Sequence, residues 1–420
     1  MARKLLEIAK SILIVLLVLA IVVLTLLALP AKTITSTPWL AAILRPVAPL
    51  FGLSQSELTY TGEPVGTEIH GAAQPVAISV CNEAGRMSAQ YDFAALDTLY
   101  EQLGGYLAQA LDSAQAAEPV SRQTLTDALS GPSIAFCYPA ATRPAVAAAW
   151  LNASALDLPE SQWFVLSAED GVVYLYLSGT ACARSRTGLP AAQLESAVDI
   201  YQPDGSFFAF ENASYARAAA LSLVCPSAQP ADAVTVNPCE ARFVSALASS
   251  LGFNPYGDAK YVDPSGTTSF TETTHALSVT AGGRIQLQVF EPMERFTAAS
   301  DSLEGRIETA RELLAAISGS ALGEARLYLT AAQEQDGQTV CEFSYYLAGV
   351  RVSAIESARV TFTGSRVTQV SLTLRTCQLT AERPALLPPA QAAAILRAGQ
   401  LLTLRYVEQS EGVLTPAWKG

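Results

Sequence analysis

Residues 11–29 form an apolar run, and this run constrains the fold of the chain more than any other feature of its sequence. It is nineteen residues long and contains no charged side chain. A helix rises 1.5 Å per residue, so about twenty apolar residues cross a hydrocarbon layer roughly 30 Å thick. The run therefore predicts a transmembrane helix. Arg3, Lys4 and Lys10 precede it, which places the N-terminus in the cytoplasm.

A cleaved signal peptide is the alternative interpretation of the same run. Signal peptides usually have an apolar region of about 7–15 residues that ends at an A-x-A-like site. Here the run is longer, and the residues that follow it are Leu29-Pro30-Ala31-Lys32, without small residues in that register. We therefore expect a permanent anchor in a single-pass protein of the cell membrane, with everything from about Ala31 onward extracytoplasmic and the lipid bilayer as one partner.

The rest of the 420-residue chain is long enough for more than one core. Four prolines between residues 32 and 69 (38, 46, 49 and 64) indicate a linker, with a short interfacial helix at 39–44. We divide the chain into a cytoplasmic stub and anchor (1–30), a juxtamembrane linker (31–69), an N-terminal α+β domain (70–190), a central α+β domain (191–296) and a C-terminal α+β domain (297–420). The net charge of −12 is dispersed, which argues against nucleic acid as a partner.

Hydrophobic periodicity predicts an α+β fold of antiparallel sheets with helices packed on one side. Leucines at 96, 99, 103, 107 and 111 lie on one face of a helix over 93–111. Further helices are expected at 145–151, around Phe243 to Leu251, at 301–317 with a capping box formed by Asp301 and Glu304, and from Pro388-Pro389 to Gly399. Strands are expected at 75–80, 133–138, 163–166, 172–177, 276–279, 284–290, 325–330, 340–346, 350–355, 358–362, 367–374 and, as the last one, 401–407. Tight turns at Glu169-Asp170-Gly171 and Ala281-Gly282-Gly283 predict two hairpins.

The seven cysteines (81, 137, 182, 225, 239, 341 and 377) show neither a CxxC pair nor metal-ligand spacing. An odd number of cysteines is not a disulfide framework. Cys225 and Cys239 are the pair most suited to a disulfide, and most of the others have the apolar neighbours of small buried side chains.

The sequence shows no recognisable catalytic, cofactor-binding or metal-binding residue, and we predict no enzyme and no cofactor. The histidines, His70 and His275, have no carboxylate or cysteine at ligand spacing. G-x-S-x-G, S-x-x-K and H-E-x-x-H strings are missing from the sequence. The oxygen-rich turns at 254–258 and 263–266 lack the D-x-D-x-D-G spacing of a calcium loop. Glu211 and the Glu169-Asp170 pair are candidate acids, for which solvated loops are the better interpretation.

Several strings together resemble the YycH/YycI family of extracytoplasmic regulators from Gram-positive bacteria. They are the membrane helix, the helix that begins after Asp92, Leu251-Gly252-Phe253-Asn254-Pro255-Tyr256, Tyr261 with a Ser-Gly turn, the Gly282-Gly283 hairpin, the strand 343–352, Leu387-Pro388-Pro389 and Leu414-Thr415-Pro416-Ala417-Trp418. The spacing of Tyr345, Gly349 and Val352 is also similar to PepSY-type modules, so the C-terminal domain is expected to be PepSY-like.

The resemblance implies a non-enzymatic regulator that modulates a cell-wall-related two-component sensor histidine kinase through transmembrane and ectodomain contacts. It implies that kinase as a partner, with a paralogous YycH/YycI-type regulator as a second one. The family has no sharp functional motif here, so no site residue is transferred. A wall-facing hydrolase and an anchored wall-binding module remain the alternatives. The binding module would use exposed aromatic residues such as Trp163, Tyr174 and Tyr176, for which a packed sheet face is the other interpretation.

Overall fold

The computed structural model describes residues 74–255 and 259–419. The predicted transmembrane helix at 11–29, the linker with its helix at 39–44, His70, and the end of the turn at 254–258 lie outside these residues. Within them, no helix is both long and apolar enough to cross a membrane. The described chain is α+β, with mostly antiparallel sheets and few helices.

Residues 74–224, called the N-lobe below, are built on a seven-stranded sheet. Its strand order is β2-β1-β4-β5-β6-β7-β3, and every pairing is antiparallel. The strands are β1 (Ala77–Asn82), β2 (Gly85–Gln90), β3 (Glu118–Pro119), β4 (Ser133–Thr142), β5 (Ser161–Glu169), β6 (Val172–Ser178) and β7 (Cys182–Pro190). A separate short hairpin joins β8 (Phe207–Phe208) to β9 (Leu223–Val224). The predicted β5–β6 hairpin is confirmed, with Asp170 and Gly171 both at positive φ in its turn.

Both faces of this sheet are covered. The helices are α1 (Phe93–Asp112), α2 (Arg122–Ser130), α3 (Pro144–Trp150) and α4 (Ala191–Val198). Leucines of α1 pack with Ile78 and Phe136 on one face, whereas Leu125 and Leu129 of α2 pack with Val165 on the other. The prediction of helices on one side only is therefore wrong for this sheet. Strands whose side chains are apolar in both directions are typical of a sheet buried on both faces.

Helix α1 matches its prediction closely because its signals are local. The Asp92 carboxylate accepts hydrogen bonds from the backbone amides of Ala94 and Ala95, which satisfies two of the free donors at the helix start. The predicted leucine stripe is buried against the sheet. The strand and helix predicted at 133–138 and 145–151 are also confirmed, as β4 and α3.

Residues 233–419, called the C-lobe below, form one thirteen-stranded sheet within the described chain. Its order is β11-β12-β13-β14-β19-β18-β16-β17-β21-β22-β10-β20, with β15 paired to β16. The strands are β10 (Ala233–Val236), β11 (Lys260–Val262), β12 (Thr268–Thr271), β13 (His275–Val279), β14 (Arg284–Val289), β15 (Ala325–Gln335), β16 (Gln338–Leu347), β17 (Val350–Val352), β18 (Ala358–Thr363), β19 (Arg366–Thr373), β20 (Thr376–Leu379), β21 (Thr403–Ser410) and β22 (Val413–Lys419). The pairing of β17 with β21 is parallel.

The C-lobe helices are α5 (Ala241–Ser250), α6 (Leu303–Ser318) and α7 (Pro389–Ala394). The predicted capping box of α6 is wrong, because the cap is Ser302, whose hydroxyl accepts from the amide of Gly305. Helix α7 begins after Pro388 as predicted but ends well before Gly399. The strand predicted at 401–407 is not the last, since β22 pairs with it.

The β13–β14 hairpin and the strands from β15 to β19 are confirmed. Two predicted domain boundaries do not coincide with the edges of the sheets. Helix α4 and the β8–β9 hairpin, which follow residue 190, pack on the N-lobe sheet. Strand β14, which precedes residue 296, pairs with β19, which follows it.

Candidate functional site

The two lobes meet at an ion pair between α1 and β15. Arg326 Nη1 and Nη2 each donate to a different carboxylate oxygen of Asp97, both at 2.7 Å. Arg326 also donates to the amide oxygen of Gln74, which is buried and is the first described residue. The ion pair of Arg326 and Asp97 is therefore bidentate, and this geometry fixes the orientation of the guanidinium relative to the carboxylate. We call these three residues, with Phe93 and Tyr328, the interlobe joint.

Aromatic rings complete the joint. The guanidinium carbon of Arg326 lies 4.1 Å from the ring centroid of Phe93, and the Phe93 ring stacks on that of Tyr328 with centroids 6.2 Å apart. Tyr328 is fully buried, and burial raises the pKa of its hydroxyl. A cation held on an aromatic face in a partly desolvated place adds to the ion pair. The joint therefore combines a bidentate ion pair with aromatic contacts between the two lobes.

Tyr91 makes a second connection between the lobes. Its backbone has φ of 63°, which is uncommon for a bulky residue. Its hydroxyl accepts a hydrogen bond of 3.3 Å from the backbone amide of Leu404 on β21, and burial raises its pKa. Its backbone lies against Gly349 in the β16–β17 turn, where a Cβ atom would approach the Tyr91 nitrogen to 3.2 Å. The turn needs glycine for its φ of 76° and for this close approach.

An open cleft of about 600 Å³ lies beside the joint. It is lined by residues 88–95 at the end of β2 and the start of α1, by loop residues 225 and 227–231, and by Glu324, Ala348, Leu379 and Arg383. Phe93 belongs both to the cleft lining and to the joint. Six lining residues are alanines (89, 94, 95, 228, 231 and 348), so much of the cleft wall is short side chain and backbone.

The carboxylates of the cleft lining have structural tasks. Asp92 caps α1, and Glu324 accepts from the backbone amide of Leu379 at the end of β20. Arg383 is exposed and makes no ion pair within the described chain. The cleft thus combines an alanine-rich wall with polar side chains such as Ser88, Gln90 and Gln229, a mixed surface that a protein or peptide segment can contact.

The two aromatic residues that a wall-binding module would expose are buried. Trp163 packs edge-on against Phe208 with ring centroids 5.3 Å apart. Tyr176 is also buried and donates to Glu169 at 2.6 Å, and burial, followed by this hydrogen bond, raises its pKa to about 12. Tyr174 is half-buried under Arg184. The exposed-aromatic interpretation is wrong for Trp163 and Tyr176, and the packed sheet face is confirmed.

Glu211 is not in a solvated loop. It pairs with Arg86 through Nη2 to Oε1 at 2.7 Å and Nε to Oε2 at 3.3 Å, and the Arg86 side chain is 3% exposed. Arg86 also lies over the Phe208 ring. The predicted loop placement is therefore wrong, and the carboxylate fixes the β8–β9 segment to the N-lobe sheet.

His275 lies in the C-lobe core, where its ring is 4.1 Å from the Phe253 ring and 5.9 Å from the Phe296 ring, centroid to centroid. Burial lowers its pKa.

The oxygen-rich turn at Asp263 is held by its own hydrogen bonds. The Asp263 carboxylate accepts from Ser265 and Thr267, and these bonds lower its pKa. Within residues 74–255 and 259–419, no cluster of three or more His, Cys, Asp or Glu side chains is placed to hold a metal ion.

All seven cysteines are unpaired, including Cys225 and Cys239, the pair that the sequence singles out as the first to test for a disulfide. Five are buried (81, 137, 225, 341 and 377), in agreement with their apolar neighbours. Burial raises the pKa of Cys225 to about 12 and that of Cys239 to about 11. Thiolates are the reactive form of cysteine, so these two are poor nucleophiles.

The joint has no signal in the sequence. Asp97 and Arg326 are 229 positions apart, and neither belongs to a motif.

No family model, no curated protein and no solved structure matches this chain.

Proposed function

We propose that the chain is a non-enzymatic, membrane-anchored regulator whose extracytoplasmic part binds a membrane sensor histidine kinase. The observation that carries the proposal is the open cleft beside the interlobe joint. Its alanine-rich wall lets the backbone of another protein approach closely, and its carboxylates are engaged in the fold. The resemblance to YycH/YycI strings and the apolar run at 11–29 support the same assignment.

Confinement to one membrane makes a shallow cleft sufficient for regulation. Two anchored partners meet at a high effective concentration, so a weak contact is occupied without a large interface. A regulator shifts a kinase between two states only by binding one of them better than the other. A factor of ten in affinity corresponds to about 1.4 kcal/mol, which a few contacts in the cleft can provide.

Photocrosslinking in native membranes tests the proposal. A photoreactive residue in place of Ser227, which is exposed in the cleft lining, should capture a histidine kinase that mass spectrometry identifies. The matched control carries the same group in place of Ser249, an exposed serine of α5 outside the lining. Equal capture from both positions, or no kinase from Ser227, would refute the assignment.

A further inference from the structure

Two arginines lie side by side on the C-lobe sheet. Arg351 on β17 and Arg405 on β21 are register partners in the parallel pairing of these strands. Their neighbours Val352 and Tyr406 are buried in the C-lobe core. Because side chains alternate along a strand, both arginines project from the opposite face, where each is half-buried.

The two positive charges have no carboxylate partner among the residues that the structure describes. They belong to a row of register partners that runs Arg326, Tyr346, Arg351, Arg405 across the sheet. Asp97 lies at the start of this row and is fully engaged by Arg326. Like charges in register oppose each other, so the pair is unfavourable unless an anion compensates it. In a chain with 38 acidic residues, such a pair without a carboxylate needs an explanation.

Hydroxyl groups lie next to the pair. Arg351 Nη2 donates to the hydroxyl of Ser344 at 3.0 Å, and Ser344 Oγ is 2.9 Å from Ser357 Oγ. Tyr346 is the register partner of Arg351. Burial raises the pKa of Tyr346 to about 12, and the charges of Arg351 and Arg405 oppose this rise.

The charge of the pair selects among anions. Guanidinium forks bind carboxylates and phosphates with similar geometry. A carboxylate or a phosphodiester carries one negative charge and leaves one arginine uncompensated. A phosphate monoester carries about −1.5 to −2 at neutral pH and presents three acceptor oxygens, so it can compensate both guanidinium groups.

We propose that Arg351 and Arg405 form a binding site for a doubly charged phosphate group, either inorganic phosphate or a phosphate monoester. The site lies outside the cleft lining and does not rest on the proposed function. The proposed site binds a soluble ligand and carries out no chemical reaction on it.

Calorimetric titration of the full-length chain in detergent, at constant ionic strength, tests this site. Inorganic phosphate and glycerol 3-phosphate are titrated separately, which distinguishes free phosphate from a monoester, and acetate is the singly charged comparison. We expect saturable phosphate binding that R351Q and R405Q each weaken about tenfold or more. The control is R397Q, which removes an exposed arginine of the same lobe and should bind as the unmodified chain does.

Equal binding by R351Q and the unmodified chain would overturn the proposal, as would equal binding of acetate or no binding of either phosphate probe. If the glutamine variants do not fold, R351K is the test, because lysine keeps the positive charge but cannot form the bidentate hydrogen bonds of a guanidinium. Unchanged phosphate affinity in R351K would contradict the site.

Discussion

Substitution of Glu211 by glutamine should destabilise the N-lobe far more than an ordinary surface change. Glutamine keeps the shape of the side chain but removes the charge that compensates Arg86. The Arg86 guanidinium is nearly inaccessible to water and also donates to Ser79 Oγ and to the carbonyl of Leu129. These bonds hold it in place, so it cannot turn towards solvent when its partner charge is removed.

The size of the effect follows from burial. Loss of one partner of a buried ion pair costs about 3–5 kcal/mol, since the other charge remains in a poorly solvated place. Glu211 is 26% exposed, so solvent screens part of the pair and we expect about 2–3 kcal/mol for E211Q. The double variant R86M/E211L removes both charges and should cost less than E211Q.

Urea unfolding of the full-length chain in detergent, followed by tryptophan fluorescence, measures these free energies from midpoint and slope. The matched control is E342Q, which breaks the pair of Glu342 with Arg359, whose side chain is 62% exposed. That change should cost less than about 1 kcal/mol. If E211Q and E342Q shift the midpoint equally, or if R86M/E211L is less stable than E211Q, the assignment of a buried structural ion pair is wrong.

Three further substitutions address the joint, the contact of Tyr91 with Gly349, and the C-lobe core. D97N leaves Arg326 without its partner charge and should lower stability by about 1–2 kcal/mol, with faster hydrogen exchange of α1 than in the unmodified chain. G349A adds a Cβ at positive φ against the Tyr91 backbone and should cost about 1–2 kcal/mol in urea unfolding; no loss would contradict the close approach. For His275, burial lowers the folded-state pKa below its usual value of 6.5, so the unfolded chain takes up its proton first and stability falls as pH drops through 6.5. H275F should flatten the fall in melting temperature between about pH 7 and 5, and an unchanged slope would refute this.

Elements specified by neighbouring residues could be predicted from the sequence. The leucine spacing and the Asp92 cap specify α1, and the Asp170-Gly171 turn specifies the β5–β6 hairpin. The cap of α6 was misplaced by one residue because Asp301 and Ser302 are both good caps, and sequence alone does not rank them.

Contacts between distant segments could not be predicted in this way. Arg86 and Glu211 are 125 positions apart, so no local pattern relates them. The burial of Trp163 had a signal, since residues 163–166 are apolar without alternation, which is typical of a strand covered on both faces. The cleft arises from the docking of two lobes and has no counterpart in the sequence.

Filling the cleft is the most direct test of the account. Ala94 is exposed in the cleft lining at the start of α1, and Ala241 is an exposed alanine at the start of α5 outside it. We predict that A94W abolishes the effect of the full-length chain on autophosphorylation of the crosslinked kinase in membranes, and that A241W leaves it intact. An A94W chain that folds and regulates the kinase as the unmodified chain does would contradict the assignment of the cleft as the regulatory surface.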